Sequence, residues 1–315
     1  MTKPLNILIT GSNSGFGRLT TETLARRGHR VFASMRDLET RNAGAAAKMR
    51  AFKVEGGGSI VPVEIDVTSD ASVEHGVNSV LEQADGRIDV AVNNAGVATL
   101  GLEEGFTSAQ IESLFNLNVF GQHRVNRAVL PGMRARGEGV IVHITSCIGR
   151  MVVPAMGLYC ASKYALEALA EAYHYELAPL GIDVVIVQPG AFPTSFANKS
   201  MLPGDRSRAP GYGPLAGFEQ QIAASMEGML AAPDAGDPQQ VADAVLRLIE
   251  TPTGQRPLRT IVDAHPQAVE AINHASERAG PGRAARRDAT GLYDPDLGAR
   301  ASLVTAAARS ARLAR

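Results

Sequence analysis

What most limits the fold of this chain is an alternation of short, near-continuous apolar runs with longer amphipathic stretches through its first 190 or so residues. The runs at 5–10, 30–34, 60–66, 88–93, 139–146 and 182–188 are rich in Val, Ile, Leu and Ala. They show little polar alternation, as strands covered on both faces require. The stretches at 15–27, 70–84, 108–133 and 158–180 carry helical patterning. Strand, helix and strand in strict succession predict an α/β fold: a doubly wound parallel sheet between two helical layers, three layers α/β/α. A helix near 238–250 and a strand near 258–262 complete it. One domain over 1–280 accommodates all of these elements, leaving 281–315 as a C-terminal extension.

Composition narrows the function classes. With 31 Lys plus Arg against 32 Asp plus Glu, the formal charge is −1, without the basic excess of a nucleic-acid binder. No 18-residue apolar run is present, so no membrane span is expected. The start, Met-Thr-Lys-Pro-Leu-Asn, lacks the apolar core of a signal peptide, and two cysteines are too few for a disulfide scaffold. Both point to a cytoplasmic protein.

Two regions break the rhythm. The Pro- and Gly-containing segment 191–237 includes Phe192, Phe196, Met201, Leu202, Tyr212, Leu215, Phe218, Met226, Met229 and Leu230. A connection of that length reads as a lid over a ligand. The last 35 residues hold seven Arg and three Asp, net +4, and read as a solvated tail or oligomer arm.

Residues 10–17 read Thr-Gly-Ser-Asn-Ser-Gly-Phe-Gly, between the first strand and the first helix. Gly11, Gly15 and Gly17 permit a sharp turn and close backbone approach to a pyrophosphate, which the helix N-terminus then receives. Spacing and sequence exclude a nucleoside-triphosphatase loop, which ends in Gly-Lys-Ser/Thr. Further along, Tyr159-Cys-Ala-Ser-Lys163 places a phenol and an ammonium one helical turn apart. The nearby cation is expected to lower the phenol pKa into general acid/base range. Ser146 precedes them at the carboxyl end of a parallel strand, where ligand crevices of such sheets lie.

The glycine turn, Asn93-Asn-Ala-Gly96, Asn118, Ser146, Tyr159, Lys163 and Pro189-Gly190 occur in one order with one set of spacings. Together they resemble the short-chain dehydrogenase/reductase family over about residues 5 to 263. The resemblance implies a Rossmann fold and a nicotinamide cofactor. It also implies hydride transfer between that cofactor and a carbonyl/alcohol carbon of a small-molecule substrate. It further implies a homo-oligomer, a dimer or tetramer.

Carried over residue by residue, the resemblance makes Tyr159 the proton donor or acceptor. Lys163 lowers its pKa and bonds the nicotinamide ribose, Ser146 orients the substrate oxygen, and Asn118 anchors a relay water. Gly11, Ser12, Asn13, Gly15, Phe16 and Gly17 form the phosphate turn. Asn93, Ala95 and Gly96 line the adenosine side; Asp66 and Val67 meet adenine; Pro189, Gly190 and Thr194 contact the carboxamide.

The ribose-reading position ends the second strand. Met35 stands where an acid would bond a 2′-hydroxyl, and Arg36 follows, suited to a 2′-phosphate with help from Ser12 and Asn13. NADP(H) is therefore expected, with reduction the preferred direction; if Asp37 reached back to the ribose, NAD would be preferred. The apolar content of 191–237 suggests a bulky apolar substrate. A catalytically silent cofactor-binding protein is the contrasting class, and the intact tetrad disfavours it. Cys147 and Cys160 read as packing residues, Cys147 turned away from Ser146 by strand alternation. Met151 and Met156 read equally as pocket wall or core filler. His123 and His143 lack partners at ligand spacing, so no metal is expected.

Overall fold

The computed structural model describes residues 3–54, 57–196, 199–232, 235–264 and 266–279. Within these, seven strands form one wholly parallel sheet: β1 Asn6–Ile9, β2 Arg30–Met35, β3 Ser59–Glu64, β4 Val90–Asn93, β5 Gly139–Ile144, β6 Ile182–Pro189 and β7 Arg259–Val262. Their spatial order is β3-β2-β1-β4-β5-β6-β7. The order reverses at β1, and β1 pairs with β4 through Ile7↔Val90 and Ile9↔Val92. In an open parallel sheet that reversal opens a crevice at the carboxyl ends of the strands.

The helices are α1 Gly15–Arg26, α2 Ala43–Arg50, α3 Asp70–Gln83, α4 Ser108–Phe115, α5 Gly121–Arg136, α6 Gly157–Leu177, α7 Phe218–Leu230, α8 Gln239–Glu250 and α9 Gln267–Ala279. Successive strand residues face opposite layers. Ile7, Ile9, Val90, Val92, Val140 and Val142 pack with Leu24 of α1 and with Val241, Val245 and Leu248 of α8. On the other face Leu8, Ala91, Ile141 and Val184 pack with Val73 and Val77 of α3 and Val125 and Val129 of α5. Each fully buried Val, Leu or Ile contributes roughly 1.5–3 kcal/mol. This is the doubly wound Rossmann architecture read from the sequence.

Several boundaries differ. The run expected as one helix over 108–133 is α4 and α5 joined by a π-helical turn, Asn116–Phe120. Such a turn widens the helix locally and re-aims the side chains it carries, Asn118 among them. Strand β5 stops at Ile144, two residues earlier than expected, and Ser146 caps a short 3-10 turn, Cys147–Gly149, by accepting from the Ile148 N–H at 3.3 Å. Alternation along a strand therefore does not govern Cys147. It is buried all the same, its thiol 3.4 Å from the Gln188 carbonyl oxygen. Helices α2 and α9 were not expected; α2 carries no strong apolar period, whereas α9 is amphipathic, burying Val269 and Asn273 on one face. Segment 191–237 contains a 3-10 stretch, Arg206–Gly217, and α7. The tail at 281–315 lies outside the described residues.

A buried polar chain pins α5 to the sheet. The Asn93 amide of β4 donates to Asn126 Oδ1 at 2.8 Å, Asn126 Nδ2 lies 3.3 Å from His143 Nε2, and His143 Nδ1 lies 2.6 Å from Gln122 Oε1. Burial, reinforced by the Lys163 charge, pushes His143 down to about 3, so the ring is neutral. Nδ1 then donates to Gln122 while Nε2 accepts from Asn126.

Candidate active site

The glycine turn follows β1 directly. Gly11 (φ 67°) and Gly15 (φ 54°) adopt the left-handed conformation that glycine accepts without strain. A methyl group at Gly17 would collide with the Gly11 carbonyl oxygen and press on the Asn94 amide. The bare backbone lets the N-terminus of α1 come down onto the turn, leaving its N–H groups to receive an anion.

The turn is held from the neighbouring strand. The Asn94 side chain donates to the carbonyls of Thr10 (2.9 Å) and Gly11 (3.1 Å). In return Thr10 Oγ1 accepts from the N–H groups of Asn94 (3.0 Å) and Ala95 (3.1 Å). Asn94 was missed by the sequence reading, which named Asn93. Asn93 ends β4 on the Ala91 face and is wholly interior, so it positions α5 and does not line a crevice. Period-two alternation contained that signal.

Other expected contacts resolve differently. Ser12 is fully buried, and its hydroxyl donates back to the Ile9 carbonyl at 3.0 Å. Ser14 has the freer hydroxyl, 3.1 Å from Lys199 Nζ and making no cap bond within α1. Phe16 stacks edge-on against Phe192 (centroids 5.6 Å), locking the start of α1 to the segment after β6. Thr194 lies over Gly15. Asp66 Oδ1 accepts from the N–H (2.9 Å) and hydroxyl (2.7 Å) of Thr68, shaping the turn after β3, and Val67 packs against Gly121. Gly190 donates to the Val262 carbonyl (2.8 Å) and leaves no room for a side chain beside the Asp263 carboxyl group.

Beyond β2, Met35 is buried with Met49, while Arg36 and Asp37 are half exposed, Arg36 Nε 4.0 Å from the Asp37 carboxylate. Asn42, also absent from the sequence reading, bridges this loop to the glycine turn. It accepts from Asn13 Nδ2 at 2.9 Å and donates to the Arg36 carbonyl at 2.5 Å. The bridge fixes Arg36 at the mouth of the turn.

Ser146, Tyr159, Lys163 and Asn118 converge at the carboxyl edge of β4 and β5. Tyr159 is buried and bonded to Ser146 through their side chains. Lys163 Nζ donates to the Ile144 carbonyl at 3.0 Å and lies 5.6 Å from the centre of the Tyr159 ring. Asn118, set on the π turn, pairs with the Val97 backbone through both amide atoms (2.9 Å each) and donates to Ser162 Oγ at 3.0 Å. Gly96 sits between these groups; a methyl there would lie 3.3 Å from Asn118 Oδ1 and 3.7 Å from Lys163 Nζ. The space left bare beside an amide and an ammonium suits a ribose.

Burial pushes the Tyr159 phenol above its ordinary value, and the Ser146 hydrogen bond works against that rise. This is the reverse of the direction expected from the Tyr/Lys spacing. Desolvation of the charged form dominates in a dry wall. Burial also brings the Lys163 ammonium down to about 8, with Glu167 opposing. Around Tyr159 the wall is apolar: Ala98, Met156 and Cys160, flanked by Leu100, Ile148, Val153 and Met226, with the Phe196 ring 5.8 Å away. Met156 is thus both packed and part of this wall. Among the described residues no group of His, Cys, Asp and Glu is placed to hold a metal ion, and no helix is long and apolar enough to cross a membrane.

Residues 5–202 match the family model described as short chain dehydrogenase. The chain is 37% identical over 196 residues to 3-ketodihydrosphingosine reductase of Bacteroides thetaiotaomicron, covering 62% of this chain and 67% of that protein. It is 35% identical over 214 residues to human retinol dehydrogenase 8, covering 67% of this chain and 66% of that protein. The match thus spans about two thirds of the length of these curated relatives. Among solved structures, a short-chain dehydrogenase from Streptomyces avermitilis superposes with TM-score 0.72 at 32% identity, over 89% of this chain and 95% of that one. One from Sphingobium yanoikuyae in complex with NADPH gives 0.66 at 29% identity, over 87% and 94%.

The glycine turn carries a direct test. Gly17→Ala should leave the circular dichroism spectrum native. It should weaken binding of the reduced nicotinamide cofactor, followed by its fluorescence, about five- to a hundredfold, because overpacking by one methyl costs about 1–3 kcal/mol. Unchanged affinity would show that the turn tolerates the added bulk. With turn, tetrad and family model in agreement, the chain belongs to the short chain dehydrogenase family of oxidoreductases.

Proposed function

We propose that this protein is an NADP(H)-dependent oxidoreductase that transfers hydride between the nicotinamide and a carbonyl/alcohol carbon, working preferentially as a ketone reductase on a bulky apolar substrate. The observation that carries this reading is the convergence of Ser146, Tyr159, Lys163 and Asn118 around the bare backbone of Gly96. The glycine turn and the N-terminus of α1 bind the pyrophosphate, Asp66 and Val67 border the adenine, and Pro189, Gly190 and Thr194 flank the carboxamide. When bound, the nicotinamide supplies or accepts the hydride.

The chain's own residues handle the proton. Ser146 and Tyr159 hold the substrate oxygen between two hydroxyls, and Tyr159 gives its proton to that oxygen as negative charge develops there. Burial keeps the phenol in the protonated form that reduction needs at neutral pH, and the Lys163 charge must offset the acidity that burial takes away. The Lys163 ammonium stabilises the tyrosinate that results, and Asn118 holds the backbone of Val97 beside the path by which the proton is replaced.

Arg36 supports NADP(H). It is half exposed, fixed at the turn through Asn42 and Asn13, and no acid occupies the buried end of β2, where Met35 stands. The apolar wall around Tyr159 supports a lipid-like substrate, with segment 191–237 as its cover. The two curated relatives are named for a ketodihydrosphingosine and for retinol. Two buried free thiols fit a cytoplasmic location. Assembly as a homodimer or homotetramer belongs to the same reading.

Tyr159→Phe keeps the ring and removes the proton donor. Turnover should fall about 10²- to 10⁴-fold, with NADPH binding intact by fluorescence. More than about a tenth of wild-type turnover would remove Tyr159 from its role. For the cofactor, Arg36→Ala should lower kcat/KM with NADPH about ten- to a hundredfold and leave NADH almost untouched, because a charge-assisted bond contributes roughly 1.5–3 kcal/mol. Equal losses with both cofactors, or a wild type that prefers NADH, would overturn the phosphate contact. A panel of ketones followed by reduced-nicotinamide absorbance should show kcat/KM rising with apolar bulk. Efficient turnover confined to small polar carbonyls would reject the substrate class.

A further inference from the structure

Helix α6 carries a second buried polar group on the face that bears Tyr159 and Lys163. Glu167 lies one turn past Lys163 and is 1% exposed. Its Oε1 accepts from the Thr145 hydroxyl at 2.7 Å and from the Gln188 amide at 2.9 Å, and its Oε2 accepts from Arg259 Nε at 2.9 Å. All three partners donate, as an ionised carboxylate requires. Thr145 immediately precedes Ser146, and Gln188 immediately precedes Pro189. One side chain thus joins the catalytic helix to the carboxyl ends of β5 and β6, just before the residues that receive substrate and nicotinamide. Arg259 extends the chain to β7 and reaches Glu171 at 2.5 Å. Asn273 of α9 extends it further, donating to Gln188 at 2.7 Å and accepting from Arg150 at 3.1 Å.

We propose that Glu167 is a positioning residue for the reaction: it fixes the register of α6 against β5 and β6, and it sets a buried carboxylate one helical turn from the Lys163 ammonium. The proposal rests on the reading of Tyr159 and Lys163 given above. The charged and titratable groups facing this pair from the surrounding elements are few. His143 of β5 is neutral. Arg259 of β7 is cationic and shared with Glu171 of α6. Cys147, after β5, is held as the thiol by burial, with Asp263 bonded to it. Glu167 raises the proton affinity of Lys163 against the pull of desolvation. The sign of a substitution follows. Without that carboxylate the ammonium loses its proton at lower pH, and with it the charge that stabilises the tyrosinate.

Glu167→Gln should move the alkaline limb of kcat/KM for reduction down by about one pH unit, the scale set by a close opposite charge. Glu171→Gln removes an equal charge from the same arginine but not from the face toward Lys163. It should lower Tm and leave the limb in place. Glu167→Asp keeps the charge and withdraws it from Thr145 and Gln188. It should lower kcat several-fold with the limb unmoved and NADPH affinity unchanged. An unmoved limb in Glu167→Gln, or an equal shift in Glu171→Gln, overturns the proposal. If Glu167→Gln fails to fold, wild-type kcat in Glu167→Asp overturns it instead. Tyr159→Phe assayed beside these separates the two readings. Its retained turnover would sink the assignment of the site itself, whereas its inactivity beside wild-type Glu167 variants sinks only this inference.

Discussion

A parallel sheet cannot return a strand by a tight turn, so every strand must hand its chain to a crossing element, and all carboxyl ends lie along one edge. The rest of this molecule depends on that constraint. The glycine turn leaves β1 at that edge, Asn94 leaves β4, Ser146 leaves β5 and Pro189 closes β6. None of these groups is near another in sequence. The switch in strand order at β1 leaves a crevice there. The two neighbours β1 and β4 then meet through Thr10 and Asn94, whose reciprocal hydrogen bonds hold the turn open to a phosphate.

Edges alone do not place side chains to the tolerance that proton transfer demands. Two buried polar networks do so here, by opposite physical means. Under α5 the Asn93, Asn126, His143 and Gln122 chain is neutral, because burial keeps the imidazole uncharged. It requires no counter-ion, and it fixes the helix that continues through the π turn to Asn118. Under α6 the network is ionic. An ion pair as deep as Glu167 with Arg259 repays its desolvation only when the remaining donors and acceptors find partners. Thr145, Gln188 and Glu171 supply all but one of these, Arg259 Nη1 being buried without a hydrogen-bond partner. Each network joins one site helix to strands that carry other site groups.

The sheet and most helices were legible in the sequence because their signals are periodic and local: runs without polar alternation for strands, apolar faces for helices. The tetrad was legible as a pattern of residue types and spacings. What escaped depends on where a side chain points once neighbours are in place. Asn93 and Asn94 are adjacent and chemically identical, and only their opposite directions make one interior and the other a clamp on the turn. Ser12 and Ser14 divide in the same way, one turned into the turn and one outward. Helix α2 has a weak apolar face and buries only Ala46 and Met49, so it leaves little periodic trace. Helix α9 buries little beyond Val269 and Asn273, yet its sequence is amphipathic, so its trace was there to be read. The π turn at 116–120 leaves none in composition at all.

The phenol shows why spacing alone can give the wrong sign. Four residues on a helix bring an ammonium beside a tyrosine, and Coulomb attraction by itself favours the tyrosinate. The same packing that brings them together also removes water from both. Desolvation then acts on each group in its own direction, raising the phenol and lowering the amine. The amine spends one donor on the Ile144 carbonyl and lies 5.6 Å from the centre of the phenol ring. A buried phenol that resists ionisation stays protonated but is a weaker acid, so its proton leaves readily only where a counter-charge compensates the tyrosinate. The ammonium beside it therefore contributes most after the proton has left, when the tyrosinate needs a counter-charge. Under the proposed function, burial thus holds the phenol in the protonated form that carbonyl reduction needs, and the ionic network beneath α6 would keep the counter-charge available for the return step.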